Sequence, residues 1–166
     1  MEIPKAGEYV DRIGSEKGDY LSPMDSDGKP YPILKRATGD YLVEEKIEDN
    51  DSYHLYIIKQ DFTRENFINA ICKKFTGESA QFYLTVLARY YADAVDRSSE
   101  LHREKYCDCS ADDANGIKAG TIDEMFLFEG DIFGKGADGG GVQYIMPFNV
   151  ETLKELGMIE ERKSRE

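Results

Sequence analysis

The sequence predicts an α+β fold: a small, twisted, mostly antiparallel sheet with a helical insertion and a short C-terminal helix. Three observations carry that prediction. Strand-like runs lie toward both ends of the chain, and the two stretches of helical period lie together at about 62–116. Helix-like and strand-like segments do not alternate at the even spacing of a parallel doubly wound fold. A length of 166 residues, 40% of them hydrophobic, suits one domain spanning 1–166 with its own core.

The elements follow in order. Residues 1–32 are rich in Gly, Pro, Asp and Ser, and are expected to form loops around at most one short strand, near Tyr20 and Leu21. "DYLVEEKI" (40–47) alternates moderately. "SYHLYIIK" (52–59) has the aromatic and β-branched content and the length of a strand. In "TRENFINAICKKFTG" (63–77), Phe67, Ile68, Ile71 and Phe75 share one helical face, with Thr63 placed to cap its start and Gly77 its end. Residues 78–105 read as a longer helix with a stripe of Tyr83, Val86, Leu87, Tyr90, Ala94 and Leu101. "YCDCSADDANG" (106–116) is a polar loop, and "TIDEMFLFEG" (121–130) and "VQYIMPF" (142–148) are strands. "NVETLKELG" (149–157) is a short helix, with Asn149 as N-cap, Glu151 in the first turn and Gly157 just past the end.

Charge narrows the function classes. A net charge of −12 repels phosphate backbones, so no nucleic-acid partner is expected. No run approaches the roughly 18–20 apolar residues that span a bilayer. The opening "MEIPKAGEYVDRIG" has no apolar h-region, so no signal peptide is expected there. Three cysteines, Cys72, Cys107 and Cys109, make no complete disulfide framework.

Common catalytic signatures are missing. His102, Cys107 and Cys109 stand as H-x4-C-x-C, which is not a structural zinc spacing, so no metal site is expected. "DSDG" (25–28) and "DDANG" (112–116) do not continue into a twelve-residue calcium loop and read as turns. No G-x-S-x-G occurs, and the glycines at 134–141 precede a strand rather than a helix, so neither a dinucleotide-binding turn nor a phosphate loop is supported. Among 33 acidic residues, no pair can be singled out for glycoside hydrolysis.

Two separated stretches are more specific. "DRIGSEKGDYLSP" (11–23), followed by "KPYPILKRA" (29–37), and "EGDIFGKGADGGGVQY" (129–144) together resemble the tuberculosis necrotizing toxin family of NAD glycohydrolases. That family has an early R-x-G…G-x-[FY]-[LS]-[SA]-P segment, a Y-x-x-Y-type strand (here Tyr53 to Tyr56) and a late glycine-rich segment ending in G-G-G-x-Q-[YF]. The match covers roughly the first 60 and last 40 residues and leaves 62–116 uncovered.

The resemblance implies hydrolysis of the nicotinamide–ribose bond of NAD or NADP as substrate, with no separate cofactor. It implies active-site roles for Arg12, Tyr20 and Gln143, and substrate contacts for Arg36, Phe133, Gly140 and Gly141. It further implies a secreted or delivered toxin domain acting in a target-cell cytosol, and a cognate immunity protein as partner. The residue types suit the chemistry. Nicotinamide leaves as a neutral base, so placement and stabilisation of an oxocarbenium-like ribose matter most. An arginine forks onto a pyrophosphate, a tyrosine face stacks on a ring, and a glutamine amide offers both a donor and an acceptor. The chain lacks the tryptophan often found before the family's F-G, with Phe133 nearest to replace it. His54 is nearest to the family histidine. An ADP-ribosyltransferase or ADP-ribosyl cyclase, and a non-enzymatic module using the inserted helices, remain the rival readings.

Overall fold

A computed structural model describes residues 3–32, 36, 52–92, 116–121 and 140–163. Among these residues, six strands form one antiparallel sheet. They are β1 (Tyr9–Ile13), β2 (Tyr20–Pro23), β3 (Tyr53–Ile58), β4 (Lys118–Thr121), β5 (Val142–Ile145) and β6 (Ile159–Arg162). Their order across the sheet is β4-β5-β2-β1-β3-β6. The described helices are α1 (Arg64–Lys74), α2 (Gly77–Ala92) and α3 (Val150–Glu155). The fold is therefore α+β, with α1 and α2 inserted between β3 and β4.

Local chemistry explains the helix ends. The Thr63 hydroxyl accepts from the Asn66 N–H at 3.1 Å and caps α1, whose last turn carries Lys73 and Lys74. Asn149 caps α3 in the same way, accepting from the Thr152 N–H at 2.8 Å. Gly157 follows α3 with φ +73°, a conformation that favours glycine.

One face of the sheet carries the apolar core. Val10, Leu21, Tyr56, Ile58 and Tyr144 from the strands meet Phe67, Ile71, Leu87 and Tyr91 from α1 and α2, and Val150 and Leu153 from α3. Phe148 ties these layers together, with its ring edge-on to Phe67 at 6.4 Å and to Tyr83 at 5.7 Å. The Tyr90 hydroxyl locks α2 to the sheet. It accepts from the Lys118 N–H at 2.8 Å and donates to the Ile145 carbonyl at 2.5 Å.

Several sequence expectations need correction. Residues 9–13 form a full strand within the stretch read as loop, because five backbone partners on β3 outweigh the local turn composition. β6 has no counterpart among the sequence expectations, since "IEER" has only one apolar residue, Ile159, on the core face. Gly77 opens α2 with φ +59° instead of closing α1, whose cap is Phe75. The fourth strand begins at Lys118, ahead of the expected Thr121, and β5 stops at Ile145. "DSDG" is a turn as read, with the Asp25 carboxylate accepting from the Asp27 and Lys29 N–H groups at 2.8 and 2.9 Å. The expected strand at 40–47, Ala94 and Leu101 of the helical stripe, and the strand residues 122–130 lie outside the described residues.

Candidate functional site

Strand alternation decides which side chains can meet. Val10, Leu21 and Tyr144 face the helices, so Asp11, Ser22 and Gln143 project from the opposite face. Register lines these three up. Asp11 is paired with Ser22, and one step along the register that pairs Leu21 with Tyr144 sets Ser22 beside Gln143. The row runs on to Gly120 beyond Gln143 and to Leu55 beyond Asp11. Gln143 and Asp11 are thus two strand spacings apart, about 10 Å.

The middle of this row is polar and buried. Asp11 is 0% exposed, and Ser22 and Gln143 are each 7% exposed. A buried carboxylate demands partners, and Asp11 has them. Arg36 Nη1 and Nη2 donate to its two oxygens at 2.7 and 2.8 Å, a bidentate pair, and the Tyr53 hydroxyl donates at 2.9 Å. Arg36 Nε donates to the Tyr31 carbonyl at 2.8 Å, and the guanidinium lies 5.9 Å from the centre of the Tyr53 ring.

Tyr20 shares this face and packs on Ile145, its cross-strand neighbour. Burial pushes its phenol pKa well above the usual range, with Asp19 adding to the rise and Arg12 opposing it. Tyr20 therefore stays neutral and offers an aromatic face and a hydroxyl rather than a base. Gln143 sits in β5 just after Gly140, whose φ of +94° lies in the left-handed region that favours glycine, and the buried Gly141. Its cross-strand neighbour is Gly120 on the edge strand β4.

Arg12 lies elsewhere. It shares the core face with Val10 and stands opposite His54 on β3. Its side chain curls into the turn between β1 and β2, donating from Nε to the Ser15 carbonyl at 2.6 Å and from Nη1 to the Tyr20 carbonyl at 3.1 Å. Gly18 closes over the guanidinium so tightly that a Cβ there would stand 2.0 Å from Nη2. Burial lowers the Arg12 pKa, while Asp19 acts against the shift.

At the same end of the core face lies a charged network. His54 Nδ1 is 2.8 Å from Glu161, Lys154 Nζ is 3.1 Å from both Glu16 oxygens and 3.2 Å from Glu161, and the Tyr56 hydroxyl donates to Glu16 at 2.6 Å. Glu16, His54 and Glu161 present metal-ligand atoms all within 4.8 Å of one another. The Lys154 ammonium already supplies the positive charge among them, so the group reads as an ion-pair network.

The structure therefore brings Gln143, Tyr20 and Arg36 to one face and sets Arg12 on the other. Phe133 and the glycines before Gly140 lie outside the described residues, as do His102, Cys107 and Cys109. Asp11, Ser22 and Tyr53 lie within the motif stretches, but the motifs assign them no site role. The period-two pattern of "YVDRI", with Asp11 out of phase with Val10, is the signal that could have found the first. A concavity of 550 Å³ between α1 and the end of α3, lined by Lys73, Lys74 and Glu155, contains none of the expected site residues. Among the described residues, no helix is long and apolar enough to cross a membrane. No model of a known protein family matches the chain, and no curated protein matches it, so any functional reading rests on the residues themselves.

Proposed function

We propose that this chain is an NAD(P)+ glycohydrolase domain whose site is built on the sheet face that carries Gln143. The observation behind the reading is a buried glutamine amide that follows a left-handed glycine and shares a polar floor with Tyr20, Ser22 and the Asp11–Arg36 pair. The motif spacing that resembles the necrotizing toxin family supplies the substrate class.

On this reading the C1′–N bond of the nicotinamide ribose breaks, and nicotinamide leaves as a neutral base. Water adds to C1′ and gives up one proton to solvent. Gln143 orients the water or a ribose hydroxyl through its donor and acceptor atoms. Tyr20, neutral at all working pH, stacks against a ring. Arg36 is neutralised by Asp11, so it contributes N–H donors to a phosphate or ribose oxygen rather than net charge. Arg12 shapes the turn that presents Tyr20, because Nη1 holds the Tyr20 carbonyl. A secreted or delivered toxin acting in a target-cell cytosol, restrained by an immunity protein that covers this face, is the biological setting that fits.

The test is turnover of a fluorogenic NAD analogue, with products resolved chromatographically. Free nicotinamide and the correspondingly modified ADP-ribose in equal amounts are expected. Cyclic ADP-ribose or labelled protein would point to the cyclase or transferase reading, and no turnover at micromolar protein would remove the hydrolase reading.

A further inference from the structure

We propose that Glu16 is a positioning residue for Arg12, acting through the turn at residues 14–19, and this rests on the reading in which Arg12 and Tyr20 serve the NAD site. The turn is held from two sides. From within, Arg12 binds the carbonyls of Ser15 and Tyr20, and Gly18 lies on its guanidinium. From outside, the turn is docked on α3 and the end of β5. The Glu151 N–H donates to the Glu16 carbonyl at 2.9 Å, the Val150 N–H to the Gly18 carbonyl at 2.9 Å, and the Met146 N–H to the Asp19 carbonyl at 2.8 Å.

Glu16 is the only residue of that turn whose side chain reaches two other elements among the described contacts. Its carboxylate takes the Tyr56 hydroxyl of β3 and the Lys154 ammonium of α3. The Lys154 ammonium also binds Glu161 of β6, which pairs with His54, and His54 faces Arg12 across the strand pair. The contacts close a ring from Arg12 through its turn to α3, β6 and β3, and back to Arg12.

An isolated exposed ion pair contributes little to stability. Here the Glu16 side chain is 22% exposed, and its partner Tyr56 is fully buried. Burial and the Glu16 bond both drive the Tyr56 phenol pKa upward, so the hydroxyl remains a donor. Loss of the carboxylate leaves that hydroxyl without its acceptor and Lys154 without one of its two anions. The turn then keeps only backbone bonds to α3, and Arg12 loses the fixed carbonyls that orient it.

The experiment compares the wild-type chain with Glu16→Ala and Glu16→Gln by hydrogen exchange of backbone amides and of arginine Nε–H groups, read by NMR, and by NAD kinetics. Glu16→Ala is expected to speed exchange of the Val150 and Glu151 amides and of the Arg12 Nε–H by about 10-fold or more, with Leu55 unchanged. It should raise KM for NAD about 5-fold or more with kcat within about 2-fold, and Glu16→Gln, which keeps an acceptor for Tyr56, should recover part of both effects. Unchanged exchange at Arg12, Val150 and Glu151 in folded Glu16→Ala overturns the proposal whatever the activity. Faster exchange with unchanged KM also overturns it, because the turn would then not serve the site. If the wild type turns over no NAD, the hydrolase reading fails, while the exchange data still decide whether Glu16 positions Arg12.

Discussion

Gln143 and Arg12 project from opposite faces of one sheet. Gln143 is out of phase with Tyr144, which faces the core, whereas Arg12 is in phase with Val10. Two residues that the motifs join cannot then grip one ligand atom together through the sheet. Gln143 belongs to a buried polar row, and Arg12 holds a turn at the sheet end from which Tyr20 returns to the same face.

The floor depends on Asp11. Removing one partner of a buried ion pair strands the other charge, which costs about 3–5 kcal/mol. Asp11→Ala is expected to lower unfolding free energy by about that amount in urea titration, and Asp11→Leu with Arg36→Met to recover most of it. A loss below about 1 kcal/mol for Asp11→Ala would mean that Arg36 finds water or another acceptor.

Gly18 has a packing role. A Cβ at this position meets the Arg12 guanidinium, so Gly18→Ala should push that group out of the turn. Loss of its two carbonyl bonds predicts about 1–3 kcal/mol of destabilisation. The effect should shrink to a few tenths of a kcal/mol, roughly, in an Arg12→Ala background, read by a double-mutant cycle. Additive effects would show that the two residues do not touch.

How much of this was legible in the sequence follows from the same physics. Helical period, caps at Thr63 and Asn149, and the closing Gly157 are local signals, and α1, α3 and most of the described α2 follow them. β3 also announces itself through its aromatic and β-branched content. β1 and β6 do not, because each is held by pairing with β3 rather than by its own composition. The site divided in the same manner. Gln143 and Tyr20 stood out through motif spacing, but Asp11 acquires meaning only when Ser22, Arg36 and Tyr53 converge on it from distant parts of the chain.

Tyr90 should be a strong determinant of stability. Its hydroxyl joins α2 to β4 and β5 from a buried position. Tyr90→Phe leaves the Lys118 N–H and Ile145 carbonyl without that partner, and is expected to cost about 1–3 kcal/mol in urea unfolding. A cost below about 0.5 kcal/mol would mean that the strands pair fully without it.

The charged network predicts a pH response. The hydrogen bond to His54 holds the Glu161 carboxyl below its usual range, burial opposes this, and Lys154 adds to the lowering. A lowered folded pKa gives stability that is complete above the ordinary carboxylate pKa and is lost as pH falls through the folded value. Burial works to lower the Lys154 pKa, but its bonds to Glu16 and Glu161 outweigh this and raise it, so its contribution is complete at neutral pH and lost only as pH rises through the raised value. Arg12, Glu16, His54 and Tyr56 face the same network. The wild-type Tm should therefore fall more steeply than that of Glu161→Gln between about pH 5 and pH 3. Parallel curves would assign acid sensitivity to other carboxylates.

NAD turnover by Gln143→Ala beside the wild type, with circular dichroism to confirm the fold, tests whether Gln143 carries the chemistry. Turnover is expected to fall by about 100-fold or more, as for removal of a preorganised active-site donor, with the spectrum unchanged. Turnover within about 3-fold of wild type in a folded Gln143→Ala protein would contradict it, because a loss that small is below what a residue orienting water or ribose supplies.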